Sequence, residues 1–283
     1  MSRDVRLSFG RTRIRQVDFT SDSGNPLLEN HSRLVYNREV FLVIHRFALD
    51  FFSRIDENFR RIGGILAQRR DKAGHSHVSL VPFVLVMQRQ LYAAFELIAG
   101  YQSFQAWVLL RPCLESALII GKWVDDPSFA TVWEKRNEDF DAYRKAYFGR
   151  GLESRSLPRA REIRLVLSRI NDDFMHTNQA YYMRHVELRP ADTDNTYLLV
   201  HHVDQDPMLH EAHLMAMINL LLTVQDSLVR MFGNLFGLTQ MPDMGLEAWQ
   251  KSAANKAAEL MVGADQVKQI LVELGLWPVT TPA

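Results

Sequence analysis

The sequence predicts an all-α fold: a helical bundle of about eight helices with a small β-hairpin insert near residues 183–203. Three observations carry that prediction. Apolar residues recur at spacings of three and four along most of the chain. Asp-Pro pairs stand where helices would begin, at Asp126–Pro127 and Asp206–Pro207, a capping residue followed by the residue best suited to the first helical position. Only Met183–Arg189 and Thr196–Val203, flanking the turn-rich Pro190–Asn195, combine strand-forming residues with a central breaker.

Taken in order, residues 1–35 are polar and aperiodic and are expected to form an arm, with 36–283 as a single helical domain. Phe41, Ile44, Ala48, Phe51, Ile55, Phe59, Ile62 and Leu66 mark one face of a long first helix from about Tyr36, fading at Gly63–Gly64. A second helix runs from about Val78 to Gly100, with Pro82 in its first turn. Ser103 can cap a third over 104–124, which Pro112 should kink. Asp126–Pro127 opens a fourth helix to about Phe148, and Pro158 a fifth to about Ala180. A sixth runs from Asp206–Pro207 to about Phe236, and two short helices, 246–261 and 264–274, complete the set.

Composition narrows the function classes. The 283 residues carry 33 Lys+Arg against 33 Asp+Glu, so net charge offers no argument for a nucleic-acid protein, although local basic faces remain open. One cysteine, Cys113, excludes a disulfide scaffold and any Cys-based zinc knuckle and fits a reducing compartment. Arg3, Arg6, Arg11, Arg13 and Arg15 have no apolar run beside them, so no secretory signal is expected. The apolar stretches 106–124 and 216–238 are interrupted by Arg111, Glu115 and Lys122 and by Gln225, Asp226 and Arg230. A spanning helix is therefore not expected from either, and the chain is expected to be cytoplasmic with no membrane partner.

Three groups of residues have the chemistry for a site. On the third helix Arg111, Glu115 and Lys122 fall within about 40° of one another on an otherwise apolar rod. Arg111 and Glu115 can pair at i,i+4 and fix helix register, or the stripe can face a cleft that takes an anion. On the fifth helix Arg169 and His176 lie seven apart, which in an α-helix brings them within about 20°. An arginine can hold a phosphate bidentately and a histidine can move a proton near neutral pH, a pairing suited to metal-independent phosphodiester cleavage. Arg161 and Arg164 belong to a basic run with Arg150, Arg155, Arg159 and Arg169, broken by Glu153 and Glu162. Such a run is either a solvated helix face or a track for phosphates. The third group is His201, His202, Asp204, Asp206, His210 and His213, where one helical turn separates His210 from His213. Asp206 reads better as a cap, and paired Glu-x-x-His motifs are missing, so neither metal nor cofactor is expected.

The order Arg111-x-x-x-Glu115, Asp126–Pro127, then Arg169 and His176 resembles the HEPN superfamily (higher eukaryotes and prokaryotes nucleotide-binding), in particular its HEPN-like bacterial proteins of unknown function, over residues 80–235. The resemblance implies an all-helical homodimer with a composite site. It also implies a metal-independent endoribonuclease of toxin or antiphage type, with Arg169 and His176 catalytic and a cognate antitoxin as partner. Arg111, Glu115, Lys122, Arg161 and Arg164 would then bind the RNA or nucleotide. The chain departs from the family pattern at Ile170, where a polar residue commonly follows the arginine. That departure leaves a second expectation open: a catalytically silent module that binds a nucleotide, RNA or protein partner.

Overall fold

A computed structural model describes residues 8–9, 12–13, 26–69, 80–175, 186–191, 195–200, 203–204 and 206–260. Among these are nine α-helices: α1 Pro26–Ile44, α2 Arg46–Gln68, α3 Val81–Ala99, α4 Ser103–Asp125, α5 Ser128–Glu134, α6 Phe140–Tyr147, α7 Ala160–Arg169, α8 Pro207–Phe236 and α9 Leu246–Leu260. A 3-10 turn spans Gly149–Leu152, and a π-helical segment, Ile170–Met175, continues α7. The architecture is all-α. Two short antiparallel ladders accompany it, β1 (Ser8–Phe9) with β2 (Thr12–Arg13) and β3 (Val186–Ala191) with β4 (Asn195–Val200). The β3–β4 register closes at Ala191 opposite Asn195, so pairing extends past Pro190 into the stretch expected to be turn.

Helices α3 and α4 pack closely on each other. Three residues connect them, and Phe83 near the start of α3 meets Trp123 near the end of α4 at 5.1 Å between rings, so they run antiparallel. The α2 helix lies antiparallel along α3, with Phe52 against Phe95 and Asp56 taking hydrogen bonds from Gln88 and Tyr92. The long α8 packs on α2, α4 and α9. It buries most of its circumference, including Leu214, Ile218, Leu221, Leu228 and Phe232. Helix α4, the apolar rod of residues 104–124, is enclosed over much of its length, and α8 is enclosed more fully. A buried polar contact joins them to the rest: Asn58 donates to Gln225 and to the carbonyl of Met244, and Gln225 donates to the carbonyl of Ile55.

Several boundaries differ from expectation for local reasons. Helix α1 begins at Pro26, ten residues before the expected helix start at Tyr36, because Pro26 suits a first turn. The expected single first helix is broken at His45, whose backbone (φ −106°, ψ 34°) leaves the helical region as its ring enters a nest of Phe41, Tyr101 and His210. Gly63 and Gly64 do not stop α2, because Ile62 and Leu66 on either side are fully buried and hold the turn. The expected fourth helix is two, α5 and α6, since Asp139 turns its carboxylate to the N–H of Ala142 and caps a new start. The helix expected over 264–274 and residues 176–185 lie outside the described residues.

The two apolar stretches rejected as spans need correction. By length and composition α4 and α8 are apolar enough to cross a membrane, and so is α3. Their few charged residues do not outweigh the apolar majority in an 18-residue window. The share of that window buried inside the fold is 89% for α8 and 61% for α4, so packing accounts for most of their apolarity, but it is only 28% for α3.

Candidate functional site

The C-terminal end of α4 is where the charged stripe and the basic run meet. Gly121 lets the chain after α6 approach closely: a Cβ there would sit 2.7 Å from Ser154 Oγ and 2.8 Å from Leu157 Cβ. One residue on, Lys122 Nζ donates to the carbonyl of Gly151 at 2.7 Å and rests 3.7 Å above the centre of the Phe129 ring. One turn further, Asp125 accepts the backbone N–H groups of Arg155 (2.7 Å) and Ser156 (2.8 Å). Three residues of α4 thus hold the loop 149–157 in place. Burial pulls the Lys122 ammonium below its ordinary pKa, opposed by the carboxylates of Asp125, Asp126 and Glu153. For Asp125 burial acts upward, but the hydrogen bonds from Ser156 and Arg155 outweigh it and hold the carboxyl below its ordinary value.

Between this loop, α4 and the first turns of α7 lies a cleft of ≈ 1130 Å³. Its charged lining is Lys122, Arg155, Arg161 and Arg164 on one side of the balance and Asp125, Asp126 and Glu153 on the other. Two of these are occupied internally, Lys122 and Asp125, as above. Arg164 Nη1 meets Glu153 Oε1 at 3.3 Å. Arg155 and Arg161 are exposed and have no ionic partner among the described residues. Helix α7 begins with Arg159 in the left-handed region (φ 58°) and no side-chain cap. Phe129, on the cleft lining, belongs to an aromatic cluster: Trp123 Nε1 donates to the Tyr147 hydroxyl at 2.8 Å, and that hydroxyl donates to the carbonyl of Phe129. Burial pushes the Tyr147 phenol up to about 12, so it stays a donor at any physiological pH.

The structure brings together three of the expected binding residues, Lys122, Arg161 and Arg164, and separates the others. Arg111 and Glu115 do not line the cleft; they pair with each other at 2.9 Å two to three turns earlier on α4. Their side chains are 36% and 33% exposed, so the stripe is half-buried rather than enclosed. Arg169 ends α7 away from the cleft lining, with its Nη1 buried and lacking a hydrogen-bond partner among the described residues. Beyond it the helix is π-helical, with i→i+5 bonds and a smaller turn per residue, so the α-helical spacing that aligned Arg169 with His176 does not continue past Ile170. His176 itself lies outside the described residues, and Ile170 is core. Sequence reasoning missed Gly121 and Asp125 as anchors of the loop. The tandem Asp125–Asp126 was the available signal, since one Asp suffices to cap α5.

The histidine group divides. His201 and His202 lie outside the described residues. Asp206 caps α8 by accepting the N–H groups of Met208 and Leu209. His213 Nδ1 accepts from Trp107 Nε1 at 3.0 Å. His210, fully buried, donates from Nδ1 to Asp204 Oδ2 at 2.8 Å, and its ring stacks near Tyr101 at 4.3 Å. Among the described residues no group of three or more His, Cys, Asp or Glu can hold a metal ion. Asp204 also receives the N–H of Ser103, which is the first residue of α4 and not the cap expected of it, and gives its N–H to the carbonyl of Tyr101. Tyr101 reaches that position with φ 59°, an unfavourable region for an aromatic residue.

Comparison of the chain with protein-family models, with curated proteins and with solved structures finds no match.

Two outcomes follow from this geometry. Because the Arg111–Glu115 pair is part-exposed, Glu115→Ala should cost less than about 1 kcal/mol of stability by denaturant unfolding, not the several expected of an enclosed pair. Asp204 behaves differently. Burial raises its pKa, but the hydrogen bond and charge of His210 and the Ser103 N–H bring it below the ordinary 3.8. A depressed carboxyl stabilises the fold above its unfolded value and loses that contribution as pH falls through its folded value. Asp204→Asn should therefore destabilise by about 1.5–3 kcal/mol in urea unfolding at pH 7 and pH 5, with the gap closing below about pH 3.8. A gap independent of pH would refute that role.

Proposed function

We propose that this chain is a HEPN-like helical module that binds a phosphate-bearing ligand, of the nucleotide or RNA class, in the cleft between α4, the loop 149–157 and α7. The observation that carries the reading is the pair of exposed, ionically unpartnered arginines, Arg155 and Arg161, beside Arg164 in one cleft. Arginine holds phosphate through a planar fork that matches two oxygens at once. The HEPN-like affiliation rests on Arg111, Glu115, Asp126–Pro127 and Arg169 as read from the sequence. Homodimerisation and a cytoplasmic location belong to the same reading; a single, buried cysteine suits a reducing compartment, and the burial of α4 and α8 suits a chain without a membrane partner.

Arg161→Ala should weaken binding of an adenine nucleotide or a short single-stranded RNA by about 10–100-fold in titration calorimetry, the loss expected for one charge-assisted contact. The melting temperature should not change, because Arg161 is exposed, and wild-type affinity should fall with added salt. Equal affinity in wild type and variant would overturn the cleft reading.

One observation favours a second reading, the ribonuclease: the Arg169 Nη1 is buried with no hydrogen-bond partner among the described residues, an unsatisfied donor that a phosphate oxygen would satisfy. In that reading Arg169 stabilises charge on the scissile phosphate, His176 moves the proton, and the attacking group is the neighbouring ribose 2′-hydroxyl. RNA cleavage in EDTA should then fall about 10²–10³-fold in Arg169→Ala and in His176→Ala, while DNA is left intact. Absence of cleavage by the wild type removes the enzyme and leaves the binding module.

A further inference from the structure

The arginines of the cleft are not equally available. Arg155 and Arg161 face solvent, whereas Arg164 is engaged by Glu153. That engagement is poor. It is a single contact of 3.3 Å, between a guanidinium 26% exposed and a carboxylate 62% exposed, and Arg164 Nε stays buried without a partner. A carboxylate well matched to arginine would take two parallel hydrogen bonds. Glu153 instead reaches in from the loop that Asp125 and Lys122 hold by its backbone, so its side chain can leave while the loop stays. Arg161 stands three residues before Arg164 on α7 and therefore on the same face, and Arg155 flanks them from the loop.

We propose that Glu153 is an internal competitor for this cleft, occupying Arg164 in place of the ligand, and that the ligand able to displace it is a phosphate monoester. The inference deepens the cleft reading above and rests on it. Displacing Glu153 exchanges one negative charge on Arg164 for another. A phosphodiester, with one charge, only breaks even there. A monoester at neutral pH carries about 1.5–2 negative charges and three terminal oxygens, enough to bridge Arg164 to Arg161 or Arg155. Terminal phosphates of nucleotides and of sugars share this chemistry, and a continuous nucleic-acid backbone does not.

The test is titration calorimetry on the full chain, wild type and Glu153→Gln, with four probes: inorganic phosphate, ribose 5-phosphate, adenosine 5′-monophosphate and a dinucleoside joined by one diester. The wild type should bind the monoesters about tenfold or more tightly than the diester, a difference of one charge-assisted contact. Removing a weak internal competitor should raise monoester affinity about fivefold, since an exposed pair is worth up to about 1 kcal/mol. Ribose 5-phosphate binding as well as the nucleotide would mark the phosphate alone as the recognised group; tighter nucleotide binding would mean the base contributes, and either result supports the monoester. Monoester affinity unchanged or lower in Glu153→Gln, while Arg161→Ala weakens binding as expected above, would overturn the competitor and leave the cleft reading standing. A diester bound as tightly as the monoesters would overturn the ligand class. No binding of any probe to either protein would overturn the cleft reading itself.

Discussion

The attachment of the loop 149–157 to the end of α4 is the interaction on which the candidate site depends. It is made of three contacts within two turns of helix: the bare backbone of Gly121 under Ser154 and Leu157, the Lys122 ammonium on the Gly151 carbonyl, and the Asp125 carboxylate on two consecutive N–H groups. Lys122 and Asp125 use helix side chains against the backbone of the loop, while Gly121 leaves room for the side chains of Ser154 and Leu157. Glu153, Ser154, Arg155 and Ser156 of the loop then line the cleft. The same contacts place Pro158 and Arg159 where α7 must start, which turns Arg161 and Arg164 toward the cleft.

A second set of polar contacts plays the same part at the other end of α4. Asp204 takes the Ser103 N–H, receives His210 and gives its own N–H to Tyr101, tying the residues just before α8 to the α3–α4 connection. Buried polar groups cost stability unless paired, and the contacts that pair these fit one arrangement of the helices. Asn58 and Gln225 do the same between α2, α8 and the segment before α9. An apolar core alone tolerates sliding of helices; these contacts set the register in which α4 presents Gly121, Lys122 and Asp125 together.

The charged stripe of α4 therefore has two halves with different work. Its first half, Arg111 and Glu115, neutralises itself on a half-buried face. Its second half, Lys122, is 8% exposed and builds the wall of the cleft without being offered to a ligand. The arginines that remain open are contributed by the loop and by α7, which is why the basic run and not the stripe supplies the anion-binding character.

The helical class, the start of α8 at Asp206–Pro207 and the buried faces of α2 and α4 were legible in the sequence, because capping chemistry and apolar periodicity act within a few residues and leave a local pattern. The Arg111–Glu115 pair was legible for the same reason, being one turn apart on one helix. The break at His45, the division of the fourth helix and the π-helical turn after Arg169 were not, since local propensity gives way there to contacts from distant segments. Nor was the cap of α4, which comes from Asp204 across 101 positions of chain, nor the half-exposure of the stripe. What the sequence determined by itself is which segments coil and which side of each is apolar. The tertiary structure decided which charges are spent on backbone and which stay open, because that depends on whether a carbonyl or an N–H from far along the chain arrives within about 3 Å of a side chain, and no spacing in the sequence records that distance.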